Sequence, residues 1–352
     1  MTLTELSYYS RKYAPYAVLA FLVFMIFFYI VKLSLIYIQG KKPQTTYINP
    51  IFSKIEALEI KEATPSSDFT FTIDTIEGQP VTATAAARVY FLPKEIPGFG
   101  YREKIYIMAK SLGFDTDSVV PKLNDSEAVF NDGKQKLTVD IANFNFKYEY
   151  NFDNNPEVFD GVVNPEAKTA ETKAVNFLNS IGRYPEELSR GKTNSVYWFY
   201  NKDVRQSVVL DKGDGANMIE VDFYRPDINE YPAVSPKYYN SQNYVLMVFY
   251  EGGYKILRAQ TAFFAKSNEQ IGVYPLVTGN KAYEDLVAGK GMVILAPKDN
   301  KSIVIKKMFL GYYDPDFYQQ YLQPVYVFLG ENNFVAYVPA VSEEYLTYST
   351  LP

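Results

Sequence analysis

The sequence predicts an α+β protein: one apolar N-terminal helix, then two or three modules in which an antiparallel sheet carries a packed helix. Three observations predict it. Eighteen consecutive uncharged, mostly apolar residues run from Ala14 to Val31 (APYAVLAFLVFMIFFYIV). Beyond Lys42 most apolar stretches are short and bounded by turn residues, as strands are. The few helical stretches there are punctuated, two of them ending in an apolar residue and then glycine, at Leu112-Gly113 and Ile181-Gly182.

The apolar run lies between Arg11/Lys12 and Lys32. As a helix it spans about 27 Å, close to the roughly 30 Å of a bilayer's hydrocarbon core, and the helix can continue to Ile38. A buried core helix is usually shorter and amphipathic, whereas this run is apolar around its whole circumference. It is expected to cross a membrane. Tyr8, Tyr9, Tyr13 and Tyr16 at one end and Tyr29 and Tyr37 at the other fit interfacial aromatic belts. The anchor residues singled out are Pro15, which suits a first helical turn, Tyr16, Phe21, Phe24, Phe27, Phe28, and Lys32, whose ammonium can snorkel. The continuation YIQGKKPQTT has no A-x-A pattern, so the anchor is expected to stay uncleaved. Flanking charges nearly tie and do not set orientation. No Gly-x-x-x-Gly face is present, so close right-handed dimerisation of this helix is not expected.

The expected organisation is a tail over 1–13, the anchor over 14–38, a linker over 39–48, a first α+β domain over 49–155, and a second over 156–352, subdivided near 266. In the first domain, DFTFTIDT and VTATAAARVYFLP read as strands and Tyr101–Leu112 as a helix with Ile105, Met108 and Ala109 on one face. AVFND and KLTVDIANFNFKYEYNF then flank Asp132-Gly133 as a hairpin, giving one small sheet with one helix. In the second, Asn164 is a candidate N-cap, with Pro165 and Glu166 in the first turn and Ala167, Ala170, Ala174, Leu178 and Ile181 on one face. The strands NSVYWFYN and MIEVDFY follow, separated by the turn-like DKGDGAN. Gly113 and Gly182 lie 69 residues apart, which suggests a duplicated module. Further on come the hairpin YVLMVFY/YKILRAQTAFF through Glu251-Gly252-Gly253, a short helix entered near Thr278 or Asn280 and stopped at Gly289, and the strands SIVIKKMFLGYYD, PVYVFLG and FVAYVPAV around Glu331-Asn332-Asn333. Strands with segregated helices make this α+β rather than a parallel βαβ fold.

Composition narrows the chemistry. The 352 residues include no histidine and no cysteine. That excludes Ser–His–Asp and Cys–His constellations, zinc sites of imidazole or thiolate, disulfides and lipidation through a thiol. A net charge of −5 argues against nucleic acid as a partner. The 32 tyrosines and 25 phenylalanines are expected mostly in strand cores, with a glycan- or peptide-binding surface as the functional alternative. Among polar motifs, Ser189 and Lys192 have S-x-x-K spacing, but they and Lys192-Thr193-Asn194 overlap in one polar loop rather than lying on a helix and a distant strand. Asp211, Asp214 and Asn217 could offer oxygens to calcium but lack EF-hand spacing, and a solvated turn is favoured. Asp314 and Asp316, with Glu343 and Glu344 beyond, are the candidate carboxylates of a glycosidase-type hydrolase.

YPLVTGNKAYEDLVAGKG, FLGYYD and QPVYVFLGENNFVAYVPAV, following an amphipathic helix with an LGF stop and two strands, resemble the PepSY-like modules of the YycH/YycI family, membrane-anchored extracytoplasmic regulators of a cell-wall sensor kinase in bacteria. The resemblance covers the anchor and, loosely, residues 100–341. It implies a non-enzymatic regulatory or scaffolding protein of the plasma membrane, N-terminus inside, whose helix and external body contact the lipid bilayer and another membrane or envelope protein. It brings no catalytic residues, no metal and no cofactor. The alternatives are a cell-surface glycan- or peptide-binding module and a carboxylate-based hydrolase.

Overall fold

The computed structural model describes residues 3–40, 47–298 and 300–348; in the first helix, side chains are described at 13, 14, 16 and 18–34. The chain forms two compact units, Met1–Tyr47 and Ile48–Pro352. The first is α1 (Leu3–Gly40), a single helix of 38 residues. It starts well before the expected boundary at residue 14, so residues 3–13 continue the helix rather than forming a separate tail. The linker positions 41–46 lie outside the described residues.

The second unit is α+β with mostly antiparallel sheets and few helices. Its first strands are β1 (Ile55–Glu56), β2 (Thr64–Pro65), β3 (Thr70–Ile73) and β4 (Ala86–Phe91). A first module follows: α2 (Tyr101–Ser111), β5 (Lys122–Leu123), β6 (Glu127–Asn131), β7 (Gln135–Asp140) and β8 (Phe146–Tyr150). Ile105, Met108 and Ala109 of α2 are buried, as its periodicity predicts. The run KLTVDIANFNFKYEYNF is two strands rather than one. Asp140 Oδ1 accepts from the amides of Ala142 and Asn143, and Phe144 takes a left-handed φ of 59°, which folds β8 back on β7.

The second module comprises β9 (Val162–Val163), α3 (Ala167–Ser180), α4 (Glu186–Ser189), β10 (Thr193–Asn201), β11 (Gln206–Leu210), β12 (Met218–Phe223), β13 (Ala233–Val234), β14 (Tyr244–Tyr250) and β15 (Gly253–Thr261). α3 begins after Glu166 rather than at Asn164, and Ala170, Ala174, Phe177 and Leu178 are its buried stripe. The strand β11 is not anticipated by the sequence reading. The last region comprises β16 (Ile271–Pro275), α5 (Gly279–Val287), β17 (Met292–Leu295), β18 (Ser302–Tyr313), β19 (Tyr321–Leu322), β20 (Pro324–Gly330), β21 (Val335–Pro339) and β22 (Leu346–Thr347).

One chemical device ends α2, α3 and α5. In each case glycine with positive φ follows the last turn: Gly113 at 87°, Gly182 at 66° and Gly289 at 85°. The next amide reaches back to the fifth carbonyl before it, Phe114 to Ala109, Arg183 to Leu178 and Lys290 to Asp285, while the glycine amides bond to Lys110, Asn179 and Leu286. This is the Schellman arrangement, which satisfies carbonyls the helix leaves unpaired. All three helices expected to stop at glycine do so, at Gly113, Gly182 and Gly289.

Apart from β13, the strands of the first two modules form one ten-stranded sheet, ordered β11-β10-β12-β14-β15-β8-β7-β6-β5, with β9 added beside β14. The two modules meet edge to edge where β8 and β15 pair antiparallel, from Arg258↔Glu149 to Thr261↔Phe146. The division expected at 155/156 therefore falls inside a continuous sheet, and one hydrophobic cluster runs from Ile105 in α2 to Leu257 in β15. The change of sheet comes after Thr261, close to the subdivision expected near 266. The early strands also go elsewhere than expected. β3 pairs in parallel with β18, β2 with β17, and β4 lies between β16 and β19, so none joins the sheet beneath α2. A seven-stranded sheet, β13-β18-β20-β21-β17-β2 with β3 on β18, makes the other main layer.

Tyrosine fills these cores. Tyr148, Tyr274, Tyr312, Tyr313, Tyr326 and Tyr337 are among the largest fully buried side chains. Their rings are packed, and three of the hydroxyls are paired with backbone carbonyls at little cost, Tyr312 donating to Arg88 O, Tyr326 to Val277 O and Tyr337 to Ser235 O, whereas the Tyr313 hydroxyl is buried without a partner.

Candidate functional site

The anchor positions lie on a helix that is solvent-facing over its apolar girth. Phe21, Phe24, Phe27 and Phe28 are 62%, 62%, 65% and 52% exposed, and Tyr16 and Leu19 are similarly open. Lys32 is exposed, while the side chains of Pro15, Arg11, Lys12, Tyr8, Tyr9 and Tyr37 lie outside those described. Among the described residues no helix is long and apolar enough to cross a membrane.

The polar motifs are structural. Ser189 ends α4 and its hydroxyl donates to Glu186 O, not to Lys192. Asn217 bridges strand backbone, accepting from Tyr200 N at 2.8 Å and donating to Tyr200 O at 2.9 Å, so its amide is not turned toward Asp211 and Asp214. Asp314 is buried against Arg225: Nε to Oδ1 is 2.8 Å, and Gln242 Nε2 donates to Oδ2 at 2.8 Å. The same guanidinium donates to Glu187 Oε1 and Phe264 O and lies 4.2 Å from the Phe263 ring centroid. Burial pushes the Asp314 carboxyl up and the guanidinium pulls it down. Arg225 therefore ties α4, the segment after β15 and the segment after β18 together, with Asp314 as its buried counter-charge. Glu343 pairs instead with Lys290, beside Asp285.

A second pair of perturbed carboxyls, Glu220 and Asp222, is not among the sequence candidates. Strand alternation on β12 sends Ile219, Val221 and Phe223 into the core beneath α3 and puts Glu220 and Asp222 on the opposite face. Across the strands Glu220 faces Val196 and Leu246, and Asp222 faces Asn194 and Tyr244. Asp222 is fully buried, accepts from Ser241 N at 3.3 Å, and has the Tyr224 hydroxyl 3.4 Å from Oδ2, a hydroxyl that also donates to Tyr239 O. Burial is the main cause that pushes Glu220 up to about 7, and burial plus the neighbouring Glu220 charge push Asp222 up to about 8. Arg258 and Lys237 offset part of this from a distance. The pair can hold protons near neutrality. The signal legible beforehand was E-V-D within a strand pattern, two acids on one face.

Several clefts open on the second unit, and two of them have volumes above 600 Å³. One, about 860 Å³, lies over the β8/β15 seam between the ends of α2 and α3, with Lys134, Tyr150, Asn176, Ser180, Tyr254 and Lys255 in its wall. Lys255 sits 3.8 Å above the Tyr150 ring, and burial together with Lys134 lowers its pKa. The other, about 620 Å³, is walled by Leu58, Met292, Val338 and Tyr348 beside the ion pairs of Asp285, Lys290 and Glu343. Neither Glu220 nor Asp222 lines either cleft.

No family model matches the chain, and no curated protein does. Among solved structures, an uncharacterized protein from Eubacterium rectale is similar at 13% identity, with 76% of this chain and 86% of that one covered and a TM-score of 0.37. The C-terminal domain of YpeB from Bacillus megaterium is similar at 12% identity over 71% of this chain and 95% of that one, with a TM-score of 0.28. Both scores lie below one half, and no function is read from either.

Proposed function

We propose that this chain is a regulatory or scaffolding protein that works by protein contact: α1 holds it in the plasma membrane, its body lies outside the cell, and its partner is another membrane or envelope protein. The observation that carries the reading is the exposed apolar girth of α1. Phe21, Phe24, Phe27 and Phe28 form one stripe of the helix, and Leu19, Leu22, Val23, Ile26 and Ile30, all at half exposure or more, cover the rest; such a girth is costly in water at roughly 25 cal/mol per Å² and stable in hydrocarbon. The run from Ala14 to Val31 has no charge to desolvate. The PepSY-like resemblance of the quoted segments supports the regulatory role and the N-inside orientation.

The test is crosslinking of the full chain in native membranes, with identification of what is bound. Recovery of one specific membrane or envelope protein is the expected result; full-length chain in the soluble fraction would remove the basis of the reading. A second reading, a peptide-binding module, is favoured by the 860 Å³ cleft, whose tyrosines and lysines suit an acidic, aromatic-bearing peptide.

A further inference from the structure

The two ends of the ten-stranded sheet are built differently. At one end β5 is two residues long, contains Lys122 and follows Pro121, a blunted edge. At the other, β11 is five residues, Gln206-Ser-Val-Val-Leu210, with no charge and no proline. It pairs with β10 on one side, from Tyr197↔Leu210 to Asn201↔Gln206, and ends the strand order on the other. Val208 and Val209 are 54% and 52% exposed, and Val204 in the preceding turn is open too. Among the described residues no strand pairs with the outer side of β11, and such an edge offers backbone donors and acceptors beside side chains that favour strand.

The flanking charges say which strand fits. If a second β11 runs antiparallel to the first with Val208 opposite its own copy, Ser207 falls opposite Val209 and Gln206 opposite Leu210. Just outside the strand ends lie Arg205, in the turn with a left-handed φ of 51°, and Asp211, so in this register the arginine of each copy comes near the aspartate of the other, and by symmetry this occurs twice. An isologous contact needs a self-complementary surface, and this register supplies one with no like charges opposed.

We propose that β11 is a self-association edge, at which two copies of this chain join their sheets through antiparallel β11–β11 pairing centred on Val208. This goes beyond the contact with another protein proposed above and does not depend on the anchor.

The chain's lack of cysteine gives a silent background for the test. Opposed residues in an antiparallel pair have Cα atoms about 4.5–5.5 Å apart, within disulfide reach. Full-length Val208→Cys, under mild oxidation in gentle detergent, is expected to form a disulfide dimer, whereas Leu123→Cys at the blunted edge is not. Adding Arg205→Asp to Val208→Cys opposes like charges twice and should slow linkage roughly threefold to tenfold. Further adding Asp211→Arg restores the pairs and should restore the rate. Linkage at Val208 no faster than at Leu123, or a rate indifferent to charge reversal, overturns the proposal. Membrane fractionation of the same preparations reads the anchor separately, so a soluble chain that still links would sink the anchor and leave this edge standing.

Discussion

Replacing Glu220 with glutamine should flatten the dependence of stability on pH. Burial raises the Glu220 pKa from 4.5 to about 7. Between those values the folded state holds a proton that the unfolded state has released, so stability is fully present below about pH 4.5 and is lost as pH rises through about 7. The shift corresponds to roughly 3 kcal/mol at 1.36 kcal/mol per pKa unit. Asp222, raised from 3.8 to about 8, extends the loss to higher pH, and part of its shift comes from the Glu220 charge. The Gln variant keeps the shape, removes the Glu220 titration and takes the Glu220 charge away from Asp222, whose own burial still raises it. Urea midpoints measured from pH 4.5 to 8.5 should fall for the native chain and fall less for Glu220→Gln, the two agreeing at the acid end. Equal slopes, or a native chain as stable at pH 8.5 as at 4.5, would refute the argument from burial.

Arg225→Ala leaves the buried Asp314 carboxylate without its guanidinium and should cost about 3–5 kcal/mol, read as a lowered thermal midpoint, with much of it regained in Arg225→Met/Asp314→Leu. Gly182→Ala meets open space but a φ of 66°, so calorimetry should show a loss of about 1 kcal/mol from backbone strain alone, and Gly113→Ala a similar one. Because the Ser189 hydroxyl is engaged with Glu186 O, a fluorescent β-lactam should not label the chain; labelling abolished by Ser189→Ala would reinstate Ser–Lys chemistry.

Local signals were read well from sequence because they act over a few residues. The glycine stops at 113, 182 and 289, the Thr278 cap whose hydroxyl accepts from Lys281 N, and the turns at Gly133 and Asn332-Asn333 are all chemistry within one helical turn or hairpin. Long-range pairing was not legible. Nothing in DFTFTIDT tells that β3 will lie parallel to β18, some 230 residues away, and the boundary at 155/156 failed because a polar connector loop does not reveal that its flanking strands share one sheet. The strand β11 was missed because QSVVL is short and preceded by the turn at Asn201, whose side chain accepts from Asp203 N. Asp314 stands out in the sequence as a candidate carboxylate beside Asp316, yet its partner Arg225 is 89 residues distant. Glu220 and Asp222 escaped notice for the same reason: their burial depends on Ser241 and Tyr244 folding across them.

The account depends on α1 being soluble in hydrocarbon. Alkaline carbonate extraction of cell membranes tests this directly, comparing the full chain with one in which Phe21, Phe24 and Phe27 are replaced by arginine. The full chain should stay in the membrane pellet and the arginine variant should be released, since each charge at mid-bilayer costs about 2.5–3.5 kcal/mol on insertion. A full chain washed into the supernatant would contradict the anchor and the role proposed for it.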